Sequence, residues 1–165
     1  IKMKNGLLLI LFNGLFFGIS ANAAPQPSLV RMEKNGTLRL SAEKGKAIGP
    51  EIKYMPEWRA YGWFTAADRV EWQVQIPETG IYAASIEYSV DNLEAGKQFI
   101  LFTSSANLKG IVARSGSWET YKLVKVGTIK LNKGVQKITF KSQTKFSKGA
   151  ILDLREVRLS KVNKN

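Results

Sequence analysis

The segment Arg69–Ile76 constrains the fold more than any other, because its apolar and polar side chains alternate strictly. Successive side chains of a β-strand point to opposite faces, so this pattern predicts a strand with one buried and one solvated face. The side chains on the apolar face are Val70, Trp72, Val74 and Ile76. A half-buried strand needs paired strands and a covering layer to be stable. We therefore predict that Trp72 lies in the core of a β-protein.

Other short apolar segments with the pattern of β-strands occur as far as residue 160. A second alternating segment, residues 82–90, follows the turn cluster 77–80, and residues 99–102 form an apolar run. Further short strands are predicted at 111–113, 121–126, 128–131, 138–140 and 151–159. After residue 24 no segment sustains the period of a helix. About ten short strands separated by turns predict an all-β fold, an antiparallel β-sandwich or jelly roll.

The segment 1–23 has the composition of a secretory signal peptide. Lys2 and Lys4 precede an apolar run at 7–17, and the small residues of 21–23 offer a cleavage site before Ala24. The run is shorter than the roughly 20 apolar residues of a membrane span, so no stable membrane insertion is expected. We predict a secreted or periplasmic protein of the bacterial envelope. The alternative is an anchor that is not cleaved.

The rest of the chain has the length of one domain. We divide it into a leader segment at 24–37, a β-sandwich at 38–160 and a C-terminal tail at 161–165.

The chain has neither Cys nor His, so it needs no disulfides. Nucleophile pairs of the Ser-His or Cys-His type are excluded, as are the usual zinc and haem ligands. Carboxylate chemistry, Ser-Lys chemistry or an oxygen-ligated Ca²⁺ stays open, and we expect no enzyme.

The charge balance is basic, with 25 Lys and Arg against 13 Asp and Glu and a net charge of +12. Basic exported proteins attract acidic partners, such as acidic glycans. The alternative is a solvated surface that only aids solubility. The lysines are scattered over 97–148 and form no compact stripe with interleaved aromatics. Nucleic acid is therefore not expected as a partner.

Three segments carry a resemblance to a known family. They are Leu40-Ser41-Ala42-Glu43; Tyr61-Gly62-Trp63 with the strand 68–72 and the turn 77–82; and the loop 115–121 with 127–129, 133–134 and 152–154. In order and spacing they resemble family-six and family-thirty-five carbohydrate-binding modules, and the related β-sandwich of bacterial α-L-fucosidases and sulfatases. The resemblance covers residues 38–160. It implies a galactose-binding-like jelly roll that binds sugars at the loops joining its two sheets.

The resemblance places two aromatic residues at the sugar site, Trp63 and Trp118. An indole offers an electron-rich plane to the weakly positive C–H face of a pyranose, so two such planes can hold a ring without charge. Trp58 is a further candidate platform, and Tyr61 and Tyr121 are weaker ones. For each of these residues, packing in the core or over a sheet edge is the alternative.

One position departs from the family pattern. Xylan-binding members carry a sugar-binding asparagine where this chain has Ile151, so xylan specificity is not implied. Either other polar groups contact the sugar, for which Arg59, Glu119 and Lys148 are candidates, or the cleft does not bind sugar.

The resemblance also implies a structural Ca²⁺ held by Glu43 and Asp153. Two carboxylates brought together repel unless a cation lies between them. The alternative is that Asp153 pairs with Arg155 or Lys44 and that Glu43 is solvated.

These expectations lead to an exported, non-catalytic module that binds a polysaccharide or glycan, with an acidic glycan among the candidates, alone or beside a glycoside hydrolase or sulfatase. The first alternative is a structural or adhesive envelope β-sandwich without sugar specificity. A glycoside-active enzyme would need a matched carboxylate pair in a cleft, and no segment of the sequence indicates such a pair.

Overall fold

Two antiparallel sheets form the computed structural model of the chain, which describes residues 25–163. The predicted signal peptide lies outside the described residues. The strands are β1 Thr37–Ser41, β2 Lys46–Ile48, β3 Lys53–Met55, β4 Ala60–Gly62, β5 Arg69–Ile76, β6 Gly80–Ser89, β7 Gln98–Phe102, β8 Asn107–Ile111, β9 Lys122–Leu131, β10 Gly134–Ser142 and β11 Asp153–Lys161. A short 3-10 helix covers Ala42–Lys44. Within the described range no helix is long and apolar enough to cross a membrane. The predicted antiparallel β-sandwich is confirmed.

The first sheet has the order β3-β4-β11-β6-β9, with β1 also paired to β11, and the second has the order β2-β5-β10-β7-β8. Strand β6 pairs along most of one edge of β11. The other edge is shared: Leu40 of β1 is opposite Val157, and Tyr61 of β4 is opposite Leu154. The β3–β4 hairpin therefore lies beside the first residues of β11.

The core lies between the sheets and is rich in aromatic side chains. Trp72 is 1% exposed, and its Nε1–H donates to the carbonyl oxygen of Ser41 at 2.8 Å. Phe140 packs against Phe64 and Phe99, with ring centroids 5.8 and 5.3 Å apart. Trp72 is therefore a core residue, as its alternation predicts, and its one polar atom is paired.

Two predicted strands run together as β9. The register between β6 and β9 shifts where Ala84 pairs with Gly127 and Ser85 pairs with Lys125, which leaves Val126 as an extra residue. Gly127 has φ +139°, a conformation that glycine adopts without a steric penalty. The predicted break at this glycine is thus a β-bulge within one strand. The predicted strand 111–113 is also wrong, since β8 ends at Ile111.

The segment predicted as a leader packs against the second sheet. Val30 is 1% exposed, and its N–H donates to the carbonyl oxygen of Gln73 at 2.9 Å. Its carbonyl oxygen accepts from the N–H of Gln75 at 2.9 Å, so Val30 extends the edge of β5 beyond β2. The packed unit thus starts upstream of β1.

Candidate functional site

Three of the four tryptophans line one pocket of about 610 Å³. Its walls come from the β3–β4 hairpin with the residues just before and after it, the loop after β6, the loop before β9, and the residues that lead into β11. The lining residues are Glu51, Met55, Trp58, Trp63, Thr65, Glu94, Trp118, Glu119, Gly149, Ala150 and Asp153. The structure thus brings together Trp58, Trp63 and Trp118, which are separated by up to 60 positions in the sequence.

Trp63 is the most exposed of these indoles, at 56%. It directly follows β4 and has φ +51°, which is rare for a bulky side chain and costs free energy. Lys53 Nζ lies 5.6 Å from the centroid of its ring. Strained backbone that directs an aromatic ring into solvent is typical of functional sites rather than of core packing.

Trp118 is held more rigidly, in the loop before β9. The Ser89 hydroxyl donates to the Trp118 carbonyl oxygen at 2.6 Å, and the side chain is partly buried against the core. Ser115 anchors the same loop, because its Oγ accepts from the Val90 N–H at 2.8 Å. The loop backbone is therefore anchored, and the Trp118 side chain packs partly against the core while it lines the pocket.

Trp58 is positioned by a stack of π systems. Its ring lies 5.8 Å from the Tyr121 ring at an interplanar angle of 22°. The guanidinium carbon of Arg155 lies 3.6 Å from the Tyr121 centroid, and Arg155 Nε donates to the Trp58 carbonyl oxygen at 3.0 Å. Arg155 also pairs with Glu87 at 2.9 Å. Tyr121 therefore supports Trp58 from behind and does not itself line the pocket.

Tyr61, a predicted platform, is a core residue. It is 3% exposed, its hydroxyl donates to the Gly45 carbonyl oxygen at 3.0 Å, and burial raises its pKa to about 12. The three residues of β4 are all buried. Its assignment as a sugar platform is corrected, because a ring covered on both faces has no surface for a ligand.

Asp153 is the innermost charged group of the pocket. Burial, and then the negative charge of Glu119, raise the pKa of Asp153 to about 7. Among residues 25–163 its carboxylate accepts no hydrogen bond and has no cation within ion-pair distance. Gly62 permits its approach, since a Cβ at that position would lie 3.0 Å from Asp153 Oδ1 and 2.7 Å from Met55 Sδ. A carboxyl held in this way is available to a ligand.

The two carboxylates of the predicted calcium site line different pockets. Glu43 lies in a charged pocket beside β1 and β11 and accepts from Arg59 Nε at 2.7 Å and Nη2 at 2.9 Å. The Tyr54 hydroxyl donates to it at 3.1 Å, and the pKa of Glu43 is lowered, chiefly by its hydrogen bond from Arg59. The described residues form no group of three or more potential metal ligands of the His, Cys, Asp and Glu types. This arrangement does not fit a Ca²⁺ shared by Glu43 and Asp153.

The comparisons with known proteins give matches only at the level of structure. No protein-family model matches the chain, and no curated protein has a significant sequence match. A family 35 carbohydrate-binding module from Clostridium thermocellum matches with a TM-score of 0.62 and 14% identity, over 76% of this chain and 98% of the module. The module CBM6cm-2 of Cellvibrio mixtus lichenase 5A, in complex with cellotriose, gives 0.61 and 17%, over 76% and 97%. A Podospora anserina GH26-CBM35 β-(1,4)-mannanase gives 0.56 and 15%, over 80% of this chain and 29% of that one.

The chain has the fold of a family 35 or family 6 carbohydrate-binding module. At 14–17% identity these matches establish the fold, and the predicted resemblance is confirmed at that level. Function depends on the site.

Within this module fold, Ile151 is fully buried and its N–H donates to the Phe64 carbonyl oxygen at 2.8 Å. No polar side chain from that position can reach a sugar. Of the alternative polar groups, Glu119 lines the pocket, whereas Arg59 binds Glu43 and Lys148 does not line it.

Sequence reasoning missed six pocket residues: Glu51, Met55, Thr65, Glu94, Gly149 and Ala150. They lie in loops or in a three-residue strand, where neither alternation nor a motif marks them. Acidic residues cluster near the three tryptophans in space, but their spacing in the sequence does not indicate this cluster.

Proposed function

We propose that this chain is an exported, non-catalytic carbohydrate-binding module that holds a glycan in the pocket of Trp58, Trp63 and Trp118. The observation that carries the proposal is the convergence of three indoles, each partly exposed, from three separate segments on one pocket. Exposed tryptophans that cluster in a concave surface need a reason beyond packing. The fold shared with carbohydrate-binding modules supports the same reading.

The pocket has the two kinds of group that sugars need. The indole planes contact the C–H face of a pyranose, and carboxylates accept hydrogen bonds from its hydroxyls. Few of these groups are deeply enclosed, so we expect modest affinity, with a Kd from roughly 10 µM to millimolar.

Affinity electrophoresis of residues 24–165 in gels containing different polysaccharides tests the proposal. We expect retardation by at least one polysaccharide, and about tenfold or greater loss of affinity for Trp63→Ala. Phe102→Ala is the control, because Phe102 is a partly exposed aromatic residue on β7 that does not line the pocket. Failure to bind any glycan, or equal loss in both variants, would favour the structural or adhesive alternative.

A second candidate function, hydrolysis, is favoured by one observation. Glu119 and Asp153 line the same pocket, and the pKa of Asp153 is raised to about 7, as general acids of glycosidases require. We expect no reducing sugar to be released from a polysaccharide that binds. Release abolished by Asp153→Asn would make the chain an enzyme.

Export and partnership belong to the same proposal. Mass spectrometry of the protein from envelope or culture fractions should give a chain that begins at Ala24. A glycoside hydrolase or sulfatase acting on the same glycan is the expected partner, since the matched Podospora anserina protein joins a family 35 module to a mannanase.

A further inference from the structure

The charge of the tryptophan pocket is opposite to that of the protein. The chain carries a net charge of +12. Four carboxylates line the pocket, from Glu51, Glu94, Glu119 and Asp153, and no Lys or Arg of the described residues does. The basic surface that predicts an acidic partner therefore lies elsewhere.

Three of the four carboxylates have no cationic partner in the described part of the chain. Glu94 pairs with Lys97, and a Cβ at Gly149 would meet its oxygens, so this side chain is packed in place. Glu51, Glu119 and Asp153 make no ion pair within residues 25–163. Acidic side chains elsewhere on the first sheet are matched, as Glu87 is by Arg155 and Arg158. The pocket thus brings three unmatched carboxylates together.

The indole rings of the pocket favour a positively charged ligand, as the unpaired carboxylates do. The face of an indole is electron-rich and attracts ammonium groups within about 6 Å of its centre. Lys53 Nζ already lies at 5.6 Å from the Trp63 centroid. A positively charged group therefore interacts more favourably with three indoles and three unpaired carboxylates than a neutral group does, and an anion interacts least favourably.

We infer that the glycan bound in this pocket carries protonated amines, so that the ligand class is an amino-sugar polymer with free amino groups rather than an acidic or neutral polysaccharide. This inference rests on the proposed function. It assigns the ammonium group to Asp153 and Glu119 and the sugar ring to the indoles. It also revises the expectation of an acidic glycan.

Isothermal titration with four 1,4-linked oligosaccharides tests the inference, because three of them are β-linked and differ only at C2. The ligands are oligomers of glucosamine, N-acetylglucosamine and glucose, with oligogalacturonate as the acidic comparison, all at low salt. At about pH 6 we expect the glucosamine oligomer to bind about tenfold or more tightly than the glucose oligomer, and oligogalacturonate to bind weakest. The preference should shrink as salt is added.

Two variants locate the preference. Glu119→Gln should weaken binding of the glucosamine oligomer by about tenfold and binding of the glucose oligomer by a clearly smaller factor, because an amide oxygen still accepts from a hydroxyl but carries no charge for an ammonium group. Asp153→Asn should reduce the preference in the same direction but less, because a carboxyl with a pKa of about 7 is largely protonated at about pH 6. Glu33→Gln removes the same charge from an exposed position outside the pocket and should change neither affinity. Circular dichroism confirms that each variant is folded.

The outcomes separate the inference from the proposed function. Binding of neutral or N-acetylated oligomers as tight as that of the amine, or tightest binding of the uronate, overturns the inference and leaves a sugar-binding module. Loss of the amine preference in Glu33→Gln also overturns it, since the effect would then be long-range charge. Absence of binding to every oligomer and to the polysaccharide gels overturns both.

Discussion

Replacing Asp153 with Asn should stabilise the folded domain at about pH 8 and leave its stability nearly unchanged at about pH 4. Burial, and then the charge of Glu119, raise the pKa of Asp153 to about 7 in the folded state, whereas an unfolded aspartate has a pKa of about 3.9. Between these values the folded state binds more protons than the unfolded state does. Stability therefore falls as pH rises through this window, and the full penalty is present above it.

The size of this penalty follows from the pKa shift with a discount for solvent. Each pKa unit corresponds to about 1.4 kcal/mol, but the carboxyl lines an open pocket, so screening reduces the total to about 1–3 kcal/mol. Within residues 25–163, Glu94 is paired with Lys97, and the other two carboxylates lining the pocket beside Asp153 make no ion pair. Arg155, two residues along β11, is bound to Glu87 instead.

Urea unfolding of wild type and Asp153→Asn at about pH 4, 6 and 8 measures the effect. We expect a difference in the free energy of unfolding that grows with pH in favour of the Asn variant, to about 1–3 kcal/mol. Val135→Ala, which removes no titratable group from an exposed position, should show no such trend. A difference that is independent of pH, or a less stable Asn variant at pH 8, would refute the account of Asp153 as an unpaired, partly buried carboxyl.

Three further outcomes are expected. Trp72→Ala should cost about 3–5 kcal/mol by thermal unfolding, whereas Trp63→Ala, which removes a ring that is 56% exposed, should cost no more than about 2 kcal/mol; equal losses would contradict the platform role. Trp63→Gly should melt above Trp63→Ala, because left-handed backbone costs a non-glycine residue about 1–2 kcal/mol; the reverse order would show that Trp63 is unstrained. Since Glu43 already binds Arg59, a chelator should leave the melting temperature unchanged; a clear decrease would restore the calcium expectation.

The β-sandwich was predictable because a strand with one buried face shows alternating apolar and polar residues in the sequence. Trp72 alternates with polar neighbours over eight residues, and the second strand repeats the pattern. Tyr61 shows where this reasoning fails: β4 has three residues, all buried, and so short a strand carries no period. Gly127 caused a different error, because in the sequence a glycine that permits a β-bulge within a strand cannot be distinguished from a glycine that ends a strand.

The candidate site was predictable only in part. The family resemblance supplied Trp63 and Trp118, but nothing in sequence links Trp58 to Arg155, which lies 97 positions away and binds its carbonyl oxygen. Asp153 was predicted for calcium because a motif marked it. Its actual neighbours depend on the β3–β4 hairpin lying beside β11, and sequence spacing does not encode that proximity.

The four tryptophan indoles offer the most direct test of the central claim. Each Nε1–H gives one signal in a ¹H–¹⁵N correlation spectrum, and single Trp→Phe variants assign them. On titration with a polysaccharide fragment that binds, we predict that the signals of Trp58, Trp63 and Trp118 shift with one common Kd. The signal of Trp72, buried and bonded to Ser41, should stay in place. A ligand that shifts none of the three pocket signals, or shifts Trp72 as much as Trp63, would contradict binding in this pocket.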